Sequence, residues 1–176
     1  CHRLPRNPRA GMSIVLIGIP GAGKSTVVAA LARHLGTTFM DIDADIEQRV
    51  GKPIADIFTE DGEAAFRLLE AQHIATVLSN DTCGVVALGG GALGNESTRN
   101  TVANHRTVWL QADLPTAVAR VGLNRNRPLL LGNVRGQLAS LMERRIPVYE
   151  AAADVVVDTS GLSVDDVVAR VAQALQ

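Results

Sequence analysis

The sequence predicts an α/β domain: a five-stranded parallel sheet flanked by helices in a three-layer architecture. Three observations predict it. Apolar, β-branched runs alternate with helical periodicities along the chain, as βαβ crossovers require. The first run, residues 13–19 (SIVLIGI), is apolar almost throughout, which suits a strand covered on both faces. No repeat, linker or compositional break divides the 176 residues, a length that suits one compact core.

The elements follow in order. After the first strand comes a Gly-rich loop, then a helix over 25–35 with Val27, Val28, Leu31 and Leu35 at helical spacing. Residues 38–43 (TFMDID) read as a short second strand with Asp41 and Asp43 on one face. Short helices over 45–50 and 54–58 are separated by Gly51 and Pro53. A stronger helix covers 63–78, with Asp61-Gly62 as its start signal. The third strand, 85–88 (VVAL), runs into Gly89, Gly90 and Gly91. A polar helix over 96–103, a strand over 107–110 and a helix over 114–121 come next. Residues 122–134 (GLNRNRPLLLGNV) form a loop of the length at which loops tend to be functional. A helix over 135–145 is ended by Pro147. The fifth strand covers 154–157. The last helix covers 163–175, with Ser163 as N-cap and Asp166 at N3 in a capping box. Residues 1–11 (CHRLPRNPRAG) have no apolar stretch and read as a disordered or non-native extension to the single domain of 12–176.

Composition narrows the function classes. A net charge of -1 argues against nucleic acid or a membrane surface as partner, because phosphate-tracking surfaces carry a strong basic excess. No apolar run approaches the ~20 residues of a membrane span. Cys1 and Cys83 lie far apart in unlike contexts, which predicts no disulfide and a reducing, cytoplasmic setting. The absence of an apolar stripe predicts a monomer.

The loop GIPGAGKST, residues 18–26, fits G-x-x-x-x-G-K-[ST]. A loop between a buried strand and a helix start is an anion site by construction: backbone N–H groups point inward and the helix dipole adds partial positive charge. Gly18, Gly21 and Gly23 let the backbone approach phosphate oxygens. Gly21, Ala22, Gly23, Lys24, Ser25 and Thr26 are the phosphate-binding candidates, with Lys24 on the β- and γ-phosphates and the Ser25 hydroxyl on Mg²⁺.

The class of P-loop protein is settled by what else the chain carries. The guanine reader N-K-x-D is missing, since the only lysines are Lys24 and Lys52. The third strand ends in glycines instead of the acid of a mechanical ATPase. Metal support then falls to the second-strand acids, Asp41 or Asp43. A small kinase remains.

At this point the sequence resembles the shikimate kinase family, from about residue 12 to the last helix. The carrying motifs are GIPGAGKST, DIDADIEQRVGKPIADIF, GEAAFRLLE, LGGGA, NRPLL and ERRIPVY, in that order. The resemblance implies a P-loop fold of the nucleoside monophosphate kinase type. It implies ATP and Mg²⁺ as cofactors, and shikimate, phosphorylated on its 3-hydroxyl, as the small-molecule substrate. By the same resemblance, Asp43 binds substrate hydroxyls and can take the proton of the attacking one. Asp41 stands near the metal. Arg67 and Arg145 take the substrate carboxylate, for which a planar guanidinium is suited. Gly89, Gly90 and Gly91 let backbone meet the substrate. Arg127 arrives on a lid, 122–134, and contacts the transferring phosphate, while Arg120 lies near the adenine. Glu70, three residues past Arg67, can brace it on the helix face. Arg144 points about 100° away from Arg145 on a helix and is expected to be solvated. Leu162 stands where the family often has a basic or polar residue over the adenine. The rival readings are another metabolite kinase, such as a gluconate kinase, and a nucleotide-binding regulator without catalysis.

Overall fold

The computed structural model describes residues 12–80, 83–122 and 133–176. The amino-terminal extension and residues 123–132 of the expected lid, with Arg127, lie outside the described residues.

Five parallel strands form one sheet in the order β2-β3-β1-β4-β5, with β1 spanning Ile14–Ile17, β2 Phe39–Asp41, β3 Val85–Ala87, β4 Arg106–Gln111 and β5 Val155–Asp158. Strand β1 is central and pairs with β3 on one side and β4 on the other. That position explains its uninterrupted apolar run: helices cover both its faces, and Val15, Leu16 and Ile17 are buried. The edge strands differ. Phe39 in β2 and Val156 in β5 are about half exposed.

The helices are α1 (Lys24–Leu35), α2 (Ile42–Val50), α3 (Ile54–Glu60), α4 (Glu63–Ser79), α5 (Glu96–Val102), α6 (Leu114–Gly122), α7 (Val134–Ala152) and α8 (Val164–Ala174). Right-handed crossovers put α1 on one face and α4, α5 and α7 on the other, and α8, after the last strand, packs beside α1. Val28, Leu31, Ile74, Leu110 and Leu138 are fully buried between the layers, and each such side chain contributes roughly 1.5–3 kcal/mol by leaving water. The capping box at Ser163 and Asp166 forms as expected.

Two local expectations are corrected. The second strand stops at Asp41, and Asp43 lies in the first turn of α2. Asp41 is extended, and its carboxylate accepts from the Ala44 N–H at 3.3 Å. It is therefore an N-cap, and the helix starts before the aspartates can share a strand face. Pro147 does not end α7, which runs on to Ala152. A proline inside a helix leaves the carbonyl four residues back without its donor. Here the segment beyond it carries Tyr149, which is buried against the core, and that packing holds the helical course.

Both corrections bear on function, because every loop that follows a strand of this sheet opens on the same edge. Strand order changes direction at β1. The crevice outside the carboxyl ends of the strands is where such sheets bind ligands.

Candidate active site

The Gly-rich loop leaves the end of β1 and opens α1. Gly23 precedes the helix at φ 89°, and no side chain caps it, so the first N–H groups of α1 face the loop. Gly21 has φ 85°, and a Cβ there would come within 2.7 Å of the Ala117 carbonyl oxygen. Only glycine fits this close pass beneath α6. Lys24 Nζ donates to the Gly18 and Ile19 carbonyls at 2.7 and 3.1 Å, which holds its ammonium over the loop.

Two cavities meet at this loop. One, of about 500 Å³, is lined by residues 21–26 and, opposite, by Arg120, Thr159, Leu162 and Val164. Arg120 ties the far wall to the loop. Its guanidinium donates to the Gly21 carbonyl at 3.2 Å, to Thr159 Oγ1 at 3.0 Å and to the Thr159 carbonyl at 3.0 Å. The second cavity, about 1330 Å³, is lined among others by Asp43, Arg67, Gly90, Gly91 and Arg145. Ser25 and Asp41 line both. They form the border between the two spaces.

In the larger cleft each glycine of the Gly89–Gly91 run faces charged side chains, Gly89 both Glu70 and Asp43. A Cβ on Gly89 would lie 2.6 Å from Asp43 Oδ1, one on Gly90 3.0 Å from Arg145 Nη1, and one on Gly91 2.5 Å from Arg67 Nη2. Three side chains would displace all three groups. A tight turn alone would need fewer glycines.

Arg67 is held from several sides. Nη1 donates to Glu70 at 2.8 Å and Nη2 to Glu63 at 3.3 Å. Its Cζ stands 5.3 and 5.6 Å from the ring centroids of Phe66 and Phe58, within cation–π range. Glu70 is 2% exposed, so its pair with Arg67 is an interior one. Burial pushes its carboxyl above the usual range; Arg67 opposes that rise, and the nearby Asp43 charge adds to it. Beneath this pair, His73 Nε2 lies 2.6 Å from Asp45 Oδ2, where α4 packs on α2, the helix that carries Asp43.

The structure thus brings Asp43, Arg67, Gly89, Gly90, Gly91 and Arg145 around one cleft. It places residues 21–26 and Arg120 around the adjoining one, with Asp41 between. Leu162 and Val164 give the smaller cavity an apolar side where a basic or polar residue was the comparison. Arg144 is exposed, as expected, and it also lines the larger cleft beside Arg145. Sequence reasoning missed Phe58, Thr159 and Tyr149. Phe58 and Thr159 carried no signal beyond an apolar position and a strand end. Tyr149 did, standing four residues after Arg145, but a helix stopped at Pro147 hides that spacing.

A phosphate-binding loop, a five-stranded parallel sheet of this order and an adjoining cleft of converging cations and acids define a P-loop kinase for a small metabolite. A family model described as "Shikimate kinase" matches residues 20–176. The chain is 50% identical over 161 residues to a shikimate kinase of Thermobifida fusca, covering 92% of this chain and 93% of that one. The structure of a shikimate kinase from Acinetobacter baumannii in complex with shikimate superposes with a TM-score of 0.88 at 32% identity, covering 92% and 91% of the two chains. A gluconokinase from Sinorhizobium meliloti is similar at a TM-score of 0.58 and 21% identity, a likeness of fold alone. The chain belongs to the shikimate kinase family, whose members are ATP-dependent enzymes.

Proposed function

We propose that this chain transfers the γ-phosphoryl group of ATP to the 3-hydroxyl of shikimate, giving shikimate 3-phosphate and ADP. The observation that carries the reading is the shared border of the two cavities: Ser25 and Asp41 line both. A triphosphate tail held by the loop at 21–26 would end where a polyol in the larger cleft begins.

Each role follows from position. Arg67 and Arg145 bind the carboxylate of shikimate. Arg67 is pre-oriented by Glu70 and Glu63, so little side-chain freedom is lost on binding. Asp43 accepts from ring hydroxyls and takes the proton of the attacking one. The transition state of phosphoryl transfer is loose, so placement and charge matter more here than base strength. Lys24 moves from the Gly18 and Ile19 carbonyls to the β- and γ-phosphate oxygens. Arg120, Leu162 and Val164 form the adenine side. Arg127 would bring a further cation onto the transferring group.

Mg²⁺ fits this border. A hard cation that keeps several waters asks for a hydroxyl, one or two carboxylates and substrate phosphates. Ser25 and Asp41 supply that set, and the described residues hold no cluster of three or more His, Cys, Asp or Glu of the kind that grips a metal alone. When bound, the ion would neutralise phosphate charge.

Among the described residues no helix is long and apolar enough to cross a membrane. A cytoplasmic monomer acting on a small molecule, with neither nucleic acid nor membrane as partner, fits a net charge of -1 and the want of an apolar stripe.

The experiment is ATP consumption measured with shikimate, with gluconate and with no acceptor. Turnover with shikimate at least tenfold above both controls is the expected outcome, a margin that one lost polar contact in a built site readily produces. Equal turnover with gluconate, or equal turnover without an acceptor, would reject the reading. Within it, Asp43→Asn is expected to lower kcat about 100-fold or more, the usual worth of a positioned base; near-normal turnover would remove Asp43 from that role.

A further inference from the structure

Tyr149 stands one helical turn beyond Arg145 on α7. It is 2% exposed, and its ring centroid lies 5.8 Å from that of Trp109 in β4. Its hydroxyl donates to the Gly90 carbonyl at 2.6 Å. Burial pushes the phenol up to about 12, against the charge and hydrogen bonding of Arg145. The group is a permanent donor at working pH. Its donor capacity goes to Gly90, which leaves its lone pairs for the guanidinium. A Cβ on Gly90 would meet Arg145 Nη1 at 3.0 Å. The phenol oxygen holds the Gly90 backbone, the Arg145 guanidinium lies beside that glycine, and the ring anchors this corner of the cleft to the sheet.

Arg145 has no carboxylate brace of the kind that Glu63 and Glu70 give Arg67 among the described ion pairs. Its orientation must come from elsewhere. We propose that Tyr149 is a positioning residue for shikimate binding, its hydroxyl fixing the Gly90 backbone and the Arg145 guanidinium in one mutual orientation. The inference rests on the reading of Arg145 as a carboxylate ligand. The nucleotide pocket lies on the other side of Ser25, so the effect is confined to one substrate.

The test is steady-state kinetics on Tyr149→Phe, Arg145→Ala and the double variant, with melting curves for each. Phenylalanine keeps the packing on Trp109 and removes only the hydroxyl. Tyr149→Phe should raise KM for shikimate about tenfold, the size of effect that one immobilised side chain carries in binding. KM for ATP and kcat should stay within about twofold of the parent, since neither contact touches the loop. In the Arg145→Ala background the hydroxyl's removal should add less than about twofold, because coupled residues are not additive. An unchanged KM for shikimate in Tyr149→Phe, or a full tenfold effect without Arg145, overturns the inference while leaving the carboxylate reading intact. An unchanged KM in Arg145→Ala itself overturns both. Should Tyr149→Phe fail to fold, Tyr149→Met removes the same hydroxyl while a flexible side chain fills the space. It is expected to raise KM for shikimate with KM for ATP held; no rise in KM would reject the inference.

Discussion

The two walls of the active site are built in opposite ways. On the proposed reading, the nucleotide wall is nearly one stretch of chain, residues 18–26, and its binding groups are mostly the uncapped backbone N–H groups at the start of α1. The shikimate wall comes from four separate elements: Asp43 on α2, Arg67 on α4, the glycines after β3 and Arg145 on α7. The binding groups proposed there are mostly side chains, and each needs its own support. Glu63 and Glu70 hold Arg67, His73 meets Asp45 where α4 packs on α2, and Tyr149 bonds Gly90. A local backbone site needs glycines and a helix start. A dispersed side-chain site needs a second layer of contacts.

The contrast can be broken most forcefully on the nucleotide side. Lys24→Ala removes the one cationic side chain of the loop, and kcat should fall about 100- to 1000-fold, the usual effect of losing one preorganised group on developing charge. Single-turnover measurements at saturating substrates would check it. A modest loss would mean that the backbone cradle suffices alone.

On the other wall, Arg67→Ala should act on one substrate. KM for shikimate should rise about 10- to 100-fold, as for loss of a charge-assisted hydrogen bond pair. KM for ATP should stay within about twofold. Equal changes in both constants would show that the walls are not separable.

The supporting layer gives a smaller effect with a pH signature. Glu70 binds its proton more tightly folded than unfolded, because burial raises its pKa. Its ionisation therefore opposes folding: stability is greatest below the unfolded pKa and is lost as pH rises through the folded one. Glu70→Gln should flatten this decline, read as melting temperature against pH from acid to neutral. KM for shikimate should meanwhile rise several-fold, about the worth of one neutral hydrogen bond. A pH profile identical to the parent would mean that the Glu70 charge carries no such cost.

The smallest effect sharpens the boundary of the site. Arg144 lines the cleft but is exposed, and an exposed charge is screened. Arg144→Ala should change KM for shikimate by about threefold or less, against a far larger change for Arg145→Ala. Similar changes for the two would place both guanidiniums on the carboxylate.

The sequence by itself determined the fold class, the strand count, the phosphate-binding loop and the capping box, because each is encoded by neighbours within one or two turns of chain. GIPGAGKST between an apolar strand and a helix is readable since its parts are adjacent. It also supplied Asp43, Arg67 and Arg145 as isolated candidates through their motifs. Only the tertiary structure decided that these face one cleft, that Asp41 caps a helix instead of extending a strand, and that α7 passes through Pro147 to deliver Tyr149 to Gly90. The reason is energetic. A local rule such as a proline stop is worth a few kcal/mol at most, and burying an aromatic side chain against the core can outweigh it. That balance is set by residues far away in the chain, and no window of sequence contains it.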